Sequence, residues 1–332
     1  MFKPNTLLLS FLLTALPIQA QTEQISVAVV GDADRMALVQ NALVMPFTKA
    51  TGIAVKLTAI APQDAADEAV LLSKAVDAKW DFVTLSKTQA LQACDAGVIE
   101  QIDVTLAKTG NFLTTTSKPL SCQSFNELRI DTMVYMLDAY RGENPNHISA
   151  FFDPELYPGK RVVAGEITGL FELALMGYGV PASQVYHLLS TARGIKLAGD
   201  IVAPIKDELL IAKSTAEATG MMRDGEAAMG LLEIAAALAF QTTIDSSKGQ
   251  TLALSELSPD SSFGFQTSWI KTAAGDASDD KLVEFIEFAE QSNFTNADIT
   301  TGINKDAEWY YRASSNIKNS LEASRKTLTQ KR

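Results

Sequence analysis

The unit from Ile25 to Ile60 constrains the fold more than any other part of the chain. Ile25-Ser26-Val27-Ala28-Val29-Val30 is a mostly apolar run of buried-strand length that ends at Gly31. Gly31-Asp32-Ala33-Asp34 then reads as a loop, in which Asp32 or Asp34 can cap the following helix. That helix runs to about Ala50, with Leu38, Val44 and Phe47 among its apolar positions. Thr51-Gly52 stops it, because glycine accepts the left-handed backbone that follows a helix end. Ile53 to Ile60 alternates as a second strand. A strand, a loop, a helix, a glycine and a strand in this order are typical of a mixed α/β lobe.

The pattern continues. Ala65 to Asp77 reads as a helix, Trp80 to Leu85 as a short buried strand ending at Ser86, and Thr88 to about Ala96 as a helix closed by Gly97. Arg129 to Leu137 is a strand rich in Ile, Met, Val and Tyr. Helix patterns follow at 168–178, 181–199 and 214–225, and Phe263 to Ile270 reads as a strand. Ser278 caps a helix with Asp279 and Asp280 in its first turn and Leu282, Phe285, Ile286 and Ala289 on one face. The Lys- and Arg-rich end reads as a solvated helix and frayed tail.

Residues 1–20 read as a secretory signal peptide. Lys3 supplies the positive start, Leu7 to Leu16 is an apolar run too short to span a bilayer, and Pro17-Ile18-Gln19-Ala20 ends in a small residue suited to cleavage. The 28 basic and 39 acidic residues give a net charge of −11, which argues against nucleic acid or an anionic membrane as partner. Only Cys94 and Cys122 occur; in an exported chain an even count favours a disulfide, and two buried thiols are the alternative. The two histidines, His147 and His187, and the lack of CxxC or HExxH spacing argue against a metal site. No G-x-S-x-G, P-loop or G-x-G-x-x-G is present, so the sequence does not read as an enzyme and implies no cofactor.

Several segments carry a resemblance. Phe151-Phe152-Asp153-Pro154-Glu155-Leu156-Tyr157-Pro158-Gly159-Lys160-Arg161 leads into Val162-Val163. Pro46-Phe47 through Thr51-Gly52-Ile53, Cys94-Asp95-Ala96-Gly97-Val98-Ile99-Glu100 and Asp224-Gly225-Glu226-Ala227-Ala228-Met229 have similar counterparts. In order and spacing they resemble bacterial type II solute-binding proteins of ABC transporters, nearest the polyamine (spermidine/putrescine-like) branch, over most of residues 27–290. The resemblance implies an α/β, two-lobed periplasmic-binding-protein type II fold, with mixed sheets flanked by helices and two hinge crossings near 129–137 and 263–270. Residues 21–133 and 266–332 would form lobe 1, and 134–265 lobe 2. It also implies a monomer in the periplasm that gives a small molecule to an ABC transporter permease. Relatives with a cysteine like Cys94 place its partner just before the first hinge strand, where Cys122 stands.

Carried over by position, the ligand-binding residues would be Gly31, Asp32, Asp34, Ser86, Lys87, Asp131, Thr168, Glu233 and Trp269. Asp32, Asp34 and Ser86 read equally as helix caps, Glu233 as a solvent-facing acid at a helix start and Trp269 as core. Arg129 and Glu172 are further candidates, Glu172 the more structural of the two. The first loop lacks an aromatic residue, and no carboxylate lies between Asp260 and Asp276, where polyamine binders carry one. A polyamine ligand therefore does not follow and the ligand stays open, an amine- or amino-acid-like molecule being one candidate. The alternatives are a ligand-presenting partner of a sensor, a carboxylate-dependent periplasmic enzyme, and ferric-ion binding through Tyr310-Tyr311, which sits away from the expected cleft.

Overall fold

A computed structural model describes residues 24–65, 68–97, 99, 125–164, 169–244, 250–255, 262–292 and 303–329. The chain opens with β1 (Gln24–Val30), α1 (Ala33–Val39), a π-helical turn (Gln40–Val44) and α2 (Met45–Thr51). Gly52 ends α2 at φ +77, the left-handed stop expected there. Then come β2 (Ala54–Ile60), α3 (Glu68–Ala78), β3 (Phe82–Ser86), α4 (Lys87–Asp95) and the long β4 (Phe125–Met136). The next segment holds β5 (Arg161–Ala164), α5 (Leu170–Gly177), α6 (Ala182–Leu189), α7 (Ala192–Val202), β6 (Leu209–Ala212), α8 (Thr215–Arg223), β7 (Met229–Glu233), α9 (Ile234–Thr243) and β8 (Leu252–Leu254). The chain returns through β9 (Ser262–Lys271), α10 (Asp279–Gln291), β10 (Ile303–Asn304), α11 (Ala307–Arg312) and α12 (Ser315–Thr329).

The strands follow the order β2-β1-β3-β9-β4-β7-β5-β6, with β10 beside β9 and β8 beside β4. Two strands knit the halves together. β9 pairs with β3 through Thr267–Lys271 and with β4 through Ser262–Trp269. β4 pairs with β7 through Asp131–Tyr135. The strand path is therefore continuous where the sequence suggested separate sheets, because both crossing strands are long enough to belong to each half. Buried apolar residues gather on either side of the crossing. One set joins Val27, Phe47, Phe82, Trp269 and Phe285, and another Leu71, Val83 and Ile270. Beyond the crossing, Met133, Phe151, Phe171, Leu189 and Phe263 form the largest cluster, with Val134, Val162, Met222 and Phe240 on the other face of the sheet.

The Phe151–Arg161 segment is explained by one buried cation. The Arg161 side chain is fully buried, and its guanidinium donates to the carbonyls of Phe151, Asp153, Tyr157 and Gly159. It ties the whole loop to the start of β5, so this stretch shapes the fold.

Two expectations change. The helix read over 181–199 is two helices, α6 and α7. Thr191 caps α7 at Gly194 N, and a Cβ at Gly194 would lie 2.0 Å from the Leu188 carbonyl oxygen, so the chain turns sharply here. The C-terminal end, read as a solvated helix, instead docks: Leu321 and Leu328 of α12 are buried in the large cluster beyond the crossing, and Trp309, Tyr310 and Ile317 pack against it. The basic composition of this end concealed an apolar stripe wide enough to dock a helix.

Candidate functional site

The crossing strands carry an alternation of charges. Glu127, Arg129 and Asp131 are spaced by two on β4, so they share one face of the sheet. Register sets their neighbours. Glu127 lies opposite Thr267, Arg129 opposite Phe265, and Asp131 opposite Phe263 on one side and Glu233 on the other. Thr267 also lies opposite Ser86, which extends the row to the end of β3.

These charges form two pairs and one remainder. The guanidinium of Arg35, from α1, binds Glu127 with two hydrogen bonds, and both side chains are almost fully buried. Arg129 donates from Nε (3.1 Å) and from a terminal nitrogen to Oε2 of Glu233, with its guanidinium 4.8 Å from the centre of the Phe265 ring. Burial works to lower the Arg129 pKa, but attraction to Glu233 outweighs it and holds the group above its usual range. Burial likewise pushes Glu233 up, and the charge and hydrogen bonds of Arg129 overcome it, leaving the carboxyl below its usual value. Asp131 is the remainder. It is half-buried, and burial first, then the Glu233 charge, pushes it up to about 7 against the pull of Arg129.

The other candidate residues surround this row. Gly31 follows β1 and is a required glycine: a Cβ there would lie 2.4 Å from Cγ of Arg35, whose stem crosses it to reach Glu127. Asp32 caps α1 by accepting from the Arg35 backbone N–H at 3.0 Å, and Asp34 is exposed in the first turn of that helix. Ser86 caps α4 in a reciprocal box with Gln89. Lys87 bonds the side chain of Gln266, a residue that alternates to the opposite sheet face from Phe265; burial lowers its pKa, with Glu308 and Asp306 opposing. Trp269 is fully buried beside Phe285 in the first-lobe core, so its position matches the core reading. Glu233 ends β7 at the N-cap position of α9 without capping it. Thr168 lies outside the described residues, as do Cys122 and residues 1–20. Its neighbour Gly169 opens α5 at φ +87, and a Cβ there would meet the Phe263 ring at 2.6 Å. The start of α5 therefore rests on the residue opposite Asp131.

Glu172, one turn into α5, is fully buried and belongs to a separate network. It accepts from Tyr310 and, at 3.4 Å, from Tyr186, and lies 3.8 Å from Arg325. Its role is to seat the C-terminal helices. Tyr311 bonds Asp95 instead, so the two adjacent tyrosines separate. Among the described residues no group of three metal-ligating side chains occurs and no cysteine is free.

The sequence reading missed Arg35, Glu127, Phe265 and Thr267. Glu127 falls just before the expected strand start at Arg129; one more turn of the alternation would have included it. Arg35 carried no local signal, since its partner lies 92 residues away.

Comparison with known proteins adds an independent finding. Residues 42–303 match the family described as bacterial extracellular solute-binding protein. The gamma-aminobutyric acid-binding protein of Pseudomonas aeruginosa is 27% identical over 186 residues, 54% of this chain and half the length of that relative. Among solved structures, MotA of A. tumefaciens B6 in complex with glucopine has a TM-score of 0.67 at 17% identity, covering 91% of this chain and 99% of that one. The Atu4243-GABA receptor has a TM-score of 0.64 at 18% identity, covering 91% and 97%. The spermidine/putrescine substrate-binding protein PotD of Streptococcus pneumoniae has 0.62 at 13%, covering 91% and 99%. At these identities the solved structures establish a shared fold.

Proposed function

The chain belongs to the bacterial extracellular solute-binding protein family, and from that premise we propose that it captures a small amine-bearing or amino-acid-like solute between its two lobes and delivers it to an ABC transporter permease. One observation carries the choice of solute. Two carboxylates, Asp131 and Glu233, and Arg129 meet where the crossing strand β4 pairs with the end of β7. An excess carboxylate in a half-buried setting calls for a cation or a hydrogen-bond donor. Arg129 supplies a partner for a ligand carboxylate, and Phe265 an apolar wall beneath it. The relative named for gamma-aminobutyric acid, a solute with one ammonium and one carboxylate, agrees with this chemistry. Ser86, Gly31 and Asp32 are the secondary contacts of this reading. The protein is a binding protein and not an enzyme, works as a monomer in the periplasm after loss of residues 1–20, and carries a Cys94–Cys122 disulfide.

Native mass spectrometry of the protein purified from its own periplasm tests the reading by revealing a co-purified small molecule. With that solute in hand, calorimetry on Asp131→Ala should show affinity lost by about 2–5 kcal/mol, the usual consequence of removing one partner from a buried charged contact. Glu226→Ala, at an exposed acid, should bind as the parent does. Equal affinity in both variants places the site elsewhere.

A further inference from the structure

We propose that the empty site holds a proton on the Asp131–Glu233 carboxylate pair and that the cationic group of the solute displaces it, so capture releases a proton. The inference rests on the reading of this cleft as an amine site. Its geometric basis is the count of charges in one place. Asp131 and Glu233 are directly opposed across the β4–β7 ladder, the arrangement in which like charges repel most. Glu233 receives two hydrogen bonds from Arg129. The other nearby arginine, Arg35, is held by Glu127 through a bidentate contact of its own. Two cations thus face three carboxylates.

Among the described residues no other element redresses the balance. On β9, the residues from Ser262 to Thr267 carry no charge, and neither do α9 or β8. The acid of α5, Glu172, is held by Tyr310, Tyr186 and Arg325. Lys87 reaches Gln266 on the opposite sheet face. Among the described residues Asp131 has no hydrogen-bond donor. A carboxylate so placed, half-buried and opposed by another, keeps its proton until a cation arrives. The upward shift of Asp131 to about 7 agrees with this. No covalent bond of the solute changes: its ammonium N–H groups donate to the Asp131 oxygens, and the carboxyl proton passes to water.

The sign of the pH dependence follows. The solute binds the ionised carboxylate, so its affinity rises with pH up to about 7 and is level above it, losing up to tenfold per unit below. Stability of the empty protein runs the other way. Between the ordinary carboxyl value of 3.8 and about 7 the folded state holds a proton that the unfolded chain has released, so stability falls as pH rises across that window.

Carbon-13 NMR of aspartate carboxyl groups in the empty full-length protein reads the proton directly. The expected result is one resonance titrating near 7, absent from Asp131→Asn. If every aspartate titrates in the ordinary carboxyl range, the proposal is overturned. Calorimetry with 4-aminobutyrate and with putrescine, in buffers of different ionisation enthalpy, counts the proton on binding. Release should approach one per solute at about pH 6 and vanish at about pH 8.5, and Asp131→Asn should remove the difference. A probe that binds with no release at the lower pH sinks the exchange. Failure of both amines to bind at the higher pH, with the Asp131 resonance still titrating near 7, instead sinks the amine reading of the site.

Discussion

Arg161, Arg35 and Arg129 show how burial turns one residue type into different devices. Arg161 gives its donors to backbone carbonyls and so orders a loop. Arg35 gives them to one carboxylate and locks α1 to the first part of β4. Arg129 gives them to Glu233, joining a crossing strand to the end of β7 while leaving Asp131 beside it unmatched. The first device predicts a large effect. Arg161→Met keeps much of the apolar stem but leaves four loop carbonyls without their donor. Unfolding by denaturant should show a loss of about 3 kcal/mol or more, in the range for orphaned buried polar groups. A change below about 0.5 kcal/mol, the usual size for a surface site, would show that water replaces the guanidinium. The residues from Phe151 to Arg161 lie within the span that matches the family, and their physical content, a cation wrapped by its own loop, was invisible without contacts.

At the scale of elements, helix starts do more than one thing. Asp32 and Ser86 both sit at the mouths of helices that open toward the crossing strands, and both are caps. The sequence left cap and ligand contact as alternatives; the structure shows the cap, and a capping side chain beside a cleft remains within reach of a solute through its second lone pair. Ser86→Ala should therefore cost about 1 kcal/mol of stability from the lost cap. Hydrogen exchange should place the loss at Lys87–Asp95, and uniform loss over the whole chain would argue against a local cap. Element positions were legible from apolar runs and glycine stops, as in β1, β3 and α10. The break between α6 and α7 was not, because it depends on Gly194 packing against the Leu188 carbonyl. The docking of α12 was hidden by its lysines and arginines, though Ile317, Leu321 and Leu328 recur on one face.

At the scale of the whole molecule, the crossing strands make the two halves one structure. β4 and β9 give Met133 and Phe263 to the second-lobe core while giving Trp269 to the first. The C-terminal helix then adds Leu321 and Leu328 to the second lobe from the far end of the chain. A fragment limited to residues 134–265 lacks β4 before Val134 and all of α12. It should fail to fold, with flat near-ultraviolet circular dichroism and strong binding of a hydrophobic dye. A cooperative thermal transition from that fragment would mean that the shared strands and the C-terminal helix contribute little. The hinge motion expected of two lobes around a solute uses these same strands, since each runs from one half into the other.

The sequence by itself determined the order of strands and helices, the α/β class and the family, because apolar periodicity and turn residues are local properties that short segments carry intact. It also determined that Arg129 and Asp131 share a face, since alternation along a strand is fixed by its pleat. Only the tertiary structure decided which charges meet. Arg35 and Glu127 are 92 residues apart, Arg129 and Glu233 are 104. Their contact depends on how β4 is set against its neighbours, and a shift of one residue would turn Glu127 and Arg129 to the other face. The unmatched carboxylate of Asp131 is a consequence of that register, and no reading of one segment at a time could have supplied it.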